Sequence, residues 1–153
     1  MVIPFSLRRL FDFFLASIFL LAVIQRSVTT FERPGDRFFT PYANAKEIIE
    51  KNIPFSISVI TYMELLQGMK NKDETRLFQK QIQKWNIDIM QINKEISSRA
   101  MFYVQEYALR HSMMLADALI AATVVQNGEI LLTANDKHYR YIPTIECKRF
   151  TPG

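Results

Sequence analysis

The stretch at residues 115–139, LADALIAATVVQNGEILLTANDKHY, constrains the fold more than any other part of this chain. It passes from an acidic residue at a helix start through a buried helix, a Gly turn, a short apolar strand and a polar loop. Asp117 opens a run of Ala118, Leu119, Ile120, Ala121, Ala122, Val124 and Val125, which is apolar nearly all round, as helices inside a domain are. Asn127 and Gly128 tolerate the left-handed conformation that ends helices. Residues 129–133 then predict a strand, and residues 134–138 the polar loop beyond its carboxyl end. Ligands bind outside the carboxyl ends of strands in open α/β sheets, so this loop is where chemistry is expected.

The rest of the second half repeats that alternation. Residues 45–52 read as a short helix stopped before Pro54, and residues 55–60 as a strand. Residues 61–68 (TYMELLQG) predict a helix with Thr61 as cap and Gly68 as stop. An exposed basic helix at 72–84, a strand at 87–92, a long amphipathic helix at 94–111 and an edge strand at 142–150 follow. In the long helix Ile96, Ala100, Val104 and Tyr107 or Ala108 fall on one face. Strands alternating with helices imply a parallel sheet covered on both faces. The length of 153 residues suits one domain with its own core. A net charge of +4 admits a polyanion partner without requiring one. Cys147 is the single cysteine, which excludes an internal disulfide or a cysteine zinc cluster within the chain and points to a reducing, cytoplasmic compartment.

Residues 1–43 read differently from residues 44–153, and the division between them is the expected domain boundary. Arg8 and Arg9 precede an apolar run at 10–24 broken by Asp12 and Ser17. That run is short of the roughly 20 residues a bilayer needs, and no small-residue cleavage site follows it. A buried helix, or helix plus strand, is the first reading, and membrane association through residues 10–24 is the alternative. The string RRLFDFFLASIFLLAVI also looks like the N-terminal membrane segment of bacterial sugar-phosphate transferases. Residues 29–42 (TTFERPGDRFFTPY) then carry turn signals that oppose long regular structure.

Glu64 stands in the first turn of a helix that follows a strand, Asp117 in the first turn of another helix, and Asn135 and Asp136 follow a third strand. A parallel sheet brings such positions to one rim. Carboxylates gathered there repel unless a cation intervenes, and hard divalent cations take oxygen ligands from one or two carboxylates plus substrate phosphates. Phosphodiester hydrolysis is the chemistry such a cluster suits. Each member also has a purely structural explanation. Thr61 and Glu64 match a capping box, Asp117 complements a helix dipole, and Asn135 and Asp136 form turns.

Residues 45–152 resemble PIN-domain ribonucleases of the VapC toxin type, through SVITYMELLQG and LADALIAATVVQNGEILLTANDKHY. The resemblance implies a three-layer α/β sandwich with a central parallel sheet, and Mg²⁺- or Mn²⁺-dependent cleavage of RNA. It also implies a cognate antitoxin and a homodimer. It puts Glu64 and Asp117 in the family's second and third acidic positions. The fourth aligns best with Asn135, and Asp136 is the carboxylate available there; Thr133 and Asn135 would face substrate. The family's first aspartate, at the end of its first strand, has no counterpart: Gln25 stands at that position, and neither Asp12 nor Asp36 sits at a strand end. Either the domain is degenerate, or the residues before 44 come from another source by fusion or a shifted frame, and both expect weakened metal binding. The competing expectations are a non-catalytic PIN-fold binding module and a membrane-associated protein.

Overall fold

The structure, a computed structural model, describes Val23–Gln25 as backbone and residues 55–149 in full. The expected helix at 45–52, the turn-rich boundary and most of the apolar run at 10–24 lie outside the described residues. In chain order the elements are β1 (Val23–Gln25), β2 (Phe55–Ser58), α1 (Val59–Gln67), α2 (Lys72–Lys84), β3 (Asp88–Met90), α3 (Lys94–His111), α4 (Leu115–Asn127), β4 (Ile130–Thr133), a 3₁₀ turn (Asp136–His138) and β5 (Glu146–Arg149). No helix among the described residues is long and apolar enough to cross a membrane.

The strands form one sheet in the order β3-β2-β1-β4-β5. Its flanks are parallel pairs, β2 joined to β3 through α1 and α2, and β4 to β5 through a loop holding the 3₁₀ turn, since parallel strands need a long crossover. The expectation of a parallel sheet fails at the centre. β1 runs antiparallel to both neighbours, with Gln25 opposite Phe55 and Ile130 and Val23 opposite Leu132. The sheet is therefore mixed. Gln25 lies beside the amino-terminal ends of β2 and β4, at the rim opposite the carboxyl ends where the first aspartate's position was expected. Backbone ladders form equally in either sense, so a three-residue apolar run carries no signal for its direction.

Side chains alternate along a strand, and here the alternation feeds two cores. Phe55 and Ile57 of β2 and Leu132 of β4 join Leu65, Phe78, Ile82 and Ile87 on the side of α1 and α2. Leu131 of β4 joins Ile96, Ala100, Tyr103, Ala118, Ala121, Ala122 and Val124 on the side of α3 and α4. Phe78 and Ile57 are fully buried, each worth about 1.5–3 kcal/mol over an exposed position. The amphipathic face expected on the long helix is present: Ile96, Ala100 and Tyr103 are buried, with Val104 and Tyr107 packed beside them. Trp85 packs at the margin of the first core.

Local chemistry explains the helix ends. The Ser58 hydroxyl accepts from the Ile60 amide at 3.1 Å, so α1 begins at Val59 rather than at Thr61 and the preceding strand ends at Ser58. Asn71 accepts from the Asp73 and Glu74 amides, and Asn93 accepts from Ile96 at 2.8 Å; both are favoured caps. At the other end of α4, Gly128 takes φ 64°, where a side chain would be strained. The strand expected at 142–150 is the shorter β5 at the sheet edge.

Candidate functional site

β2 leads directly into α1, and α1 and α4 touch, so the two helices bring Glu64 and Asp117 together. Glu64 lies in the second turn of α1. Thr61 is inside the helix and fully buried, which removes the capping box and leaves Glu64 without that structural explanation. Its Oε2 is buried and finds no hydrogen-bond partner among the described residues. Burial lifts the carboxyl above its ordinary value of 4.5, and the negative charge of Asp117 adds to the rise. An acid is shifted this way when its charged form lacks solvent and compensation.

Asp117 lies in the first turn of α4, two positions after the Leu115 start, and Met114 before it supplies no side-chain cap. Its carboxylate is turned to the loop after β4. The Tyr139 hydroxyl donates to Asp117 Oδ1 at 3.1 Å, and His138 Nδ1 stands 3.8 Å from Oδ2, an ion pair whenever the imidazole is protonated. The Asp117 and His138 side chains are about one-fifth exposed, so the pair is open to solvent from one direction. Tyr139 is buried, and its hydroxyl is pushed far up, first by burial, then by the charge of Asp117 and the hydrogen bond to it, then by Glu64. It is fixed as a neutral donor that orients Asp117.

Asp136 opens the 3₁₀ turn, where its carbonyl accepts from the Tyr139 and Arg140 amides. Its carboxylate is 3.9 Å from the Arg149 guanidinium, an exposed pair of small energetic weight, and it helps burial push the Cys147 thiol up to about 11. The Asn135 amide donates to Thr133 Oγ1 at 3.1 Å, a local turn bond of the kind such residues favour. Thr133 is buried at the carboxyl end of β4. Glu64 and Asp117 are thus brought together, whereas Asp136 faces Arg149. Among the described residues no group of three His, Cys, Asp or Glu side chains is close enough to hold a metal ion by itself.

Two residues take part that the sequence reading left without a role. The sequence places His138 in the polar loop at 134–138 and Tyr139 just after it. No local signal marks them, because their partner is on another element. A buried, unpartnered carboxylate oxygen beside a second carboxylate suits a hard divalent cation, which accepts one or two carboxylates and completes its shell with water and phosphate. The basic helix expected at 72–84 forms as α2.

Residues 40–143 match the family described as PIN domain. No curated protein matches the chain, and no solved structure does.

Proposed function

The chain belongs to the PIN domain family, and on that premise we propose that it is a divalent-metal-dependent endoribonuclease of the VapC toxin type. The observation that carries the reading is the buried, unpartnered Glu64 Oε2 beside Asp117. Glu64 and Asp117 are the residues that would hold Mg²⁺ or Mn²⁺, with Asp136 completing the acidic rim. The ion would neutralise charge on the phosphate and lower the pKa of a bound water. Tyr139 keeps Asp117 oriented by its 3.1 Å hydrogen bond, and His138 offers a proton donor at the same carboxylate's other oxygen. Thr133 and Asn135 line the way to substrate at the strand end. β1 ends in Gln25 and places it at the opposite rim, so impaired activity is expected.

The proposal extends to architecture and partners. Two helical layers around the sheet make a three-layer sandwich over residues 44–153, with residues 1–43 a separate, atypical segment. RNA is the substrate, a cognate antitoxin the inhibitor, and the cytoplasm the compartment, membrane association through residues 10–24 being the alternative. Met101, Phe102, Leu109, Met114 and Leu115 are exposed along α3 and the start of α4, an apolar surface that suits a homodimer.

The test is cleavage of single-stranded RNA with and without Mg²⁺ or Mn²⁺, beside calorimetry of metal binding to the protein and to Asp117→Asn. Metal-dependent cleavage that disappears in the variant supports the reading. Absence of both binding and cleavage overturns it and leaves a non-catalytic binding module.

A further inference from the structure

Beside the carboxylates, on the far side of His138, lies a pocket of about 430 Å³ lined by His111, Ser112, Lys137, His138, Arg140 and Tyr141. It forms where the end of α3 meets the loop after β4. Ser112 takes a left-handed φ of 54°, which turns the chain sharply and leaves His111 on the wall. The size falls within the range of about 300–1,000 Å³ usual for small-molecule sites.

Two properties of the wall define what fits. The first is charge. Lys137, Arg140 and both of the chain's histidines lie around one space that no carboxylate lines. Neither the Lys137 nor the Arg140 side chain is ion-paired among the described residues. The second is a stacked aromatic pair with an outer ring face to offer. The His111 and Tyr141 rings stack at 4.0 Å and 13°, and Tyr107 braces Tyr141 at 5.0 Å. Cations beside a rigid aromatic face match a phosphate joined to a base: phosphate oxygens take charge-assisted hydrogen bonds, and any base can lie against a π face. His138 borders both the pocket and Asp117, so a strand held in the pocket continues toward the carboxylates.

We propose that this pocket is a nucleotide subsite, taking a phosphate on Lys137 and Arg140 and a base against the His111 and Tyr141 surface. In a ribonuclease it holds the RNA residue next to the phosphate presented to Glu64 and Asp117. That placement rests on the function proposed above, while occupation of the pocket needs neither metal nor cleavage.

Because both histidines line the pocket, their imidazole proton resonances report on it without assignment ambiguity from elsewhere. 5′-AMP added without metal shifts both resonances, and adenosine binds at least about tenfold more weakly, since a charged hydrogen bond is worth about 1.5–3 kcal/mol. The double variant Lys137→Gln/Arg140→Gln, altered at two exposed positions, lowers 5′-AMP affinity by at least about the same factor with unchanged circular dichroism. Unmoved imidazoles, unaltered affinity in the double variant, inorganic phosphate binding as tightly as 5′-AMP, or an acidic peptide binding in preference to it overturns the subsite. Retained 5′-AMP binding with no RNA cleavage removes the nuclease reading alone, and cleavage without 5′-AMP binding removes the subsite alone.

Discussion

The two sides of the sheet are packed with different mixtures of side chains. Toward α1 and α2 the space is filled by large residues, Phe55, Phe78, Ile57, Leu65 and Ile82, with Tyr62 tilted against Phe78 at 5.4 Å. Toward α3 and α4 the alanines Ala100, Ala118, Ala121 and Ala122 alternate with larger residues such as Ile96, Tyr103 and Val124, and Arg99 reaches from α3 to Gln126 of α4 at 3.3 Å. Small side chains let backbones approach, so interaxial distance follows the residues at the contact. Both sides bury large side chains, and the side of α3 and α4 adds close helix approach at its alanines. It is the close-packed side that carries Asp117, and a carboxylate on a helix with so little freedom to shift is held where chemistry needs it.

The comparison is broken most directly by Phe78→Ala. Deleting a fully buried ring on the side of α1 and α2 is expected to cost about 3–5 kcal/mol in urea unfolding. Ala121→Leu on the other side is expected to cost about 1–3 kcal/mol through overpacking. An Ala121→Leu cost equal to that of Phe78→Ala would erase the distinction. Tyr139→Phe sharpens it, since Tyr139 is buried on the side of α3 and α4 and its hydroxyl serves Asp117. Divalent-dependent RNA cleavage should fall about 10–100-fold, the usual effect of a ligand's supporting partner, with little change in Tm. A Tm loss matching the activity loss would mean that the hydroxyl is structural.

The smallest effect lies across the rim. Glu64→Gln should raise Tm at pH 7 in the absence of metal. A folded carboxyl raised above its ordinary value of 4.5 is penalised once ionised, so the penalty grows as pH rises through and beyond that value and vanishes below it. The variant's advantage should therefore close as pH falls below 4.5, and Mg²⁺ or Mn²⁺ should stabilise the parent protein and not the variant. A variant less stable than the parent at every pH would show that Glu64 makes a favourable structural bond.

Much of this was readable from local signals. α4 and its Gly128 stop follow from an apolar run ended by a residue that accepts positive φ, and α2 and α3 from periodicity and their Asn caps. The start of α1 was not. Val59 and Ile60 are β-branched and continue a strand pattern, and only the Ser58 hydroxyl taking the Ile60 amide shows that the helix has begun. At the site, Glu64 and Asp117 are legible from their places near helix starts, and the structure brings them together. The roles of Tyr139 and His138 were beyond reach because each depends on an element folded back from elsewhere. The reversal of β1 was hidden for a different reason: strand direction is set by connections and neighbours, not by composition.

Cys147 offers a last consequence. It sits on β5, opposite Leu131 at the sheet edge, partly covered and with its thiol held near 11, so at neutral pH it is protonated and a poor nucleophile. Alkylating reagents will therefore label it chiefly when the edge strand peels away. The rate of that labelling measures the free energy of local opening in an otherwise native molecule. Because the chain has no second thiol, the edge carries its own clock, readable by mass spectrometry as nucleotide, metal or partner is added.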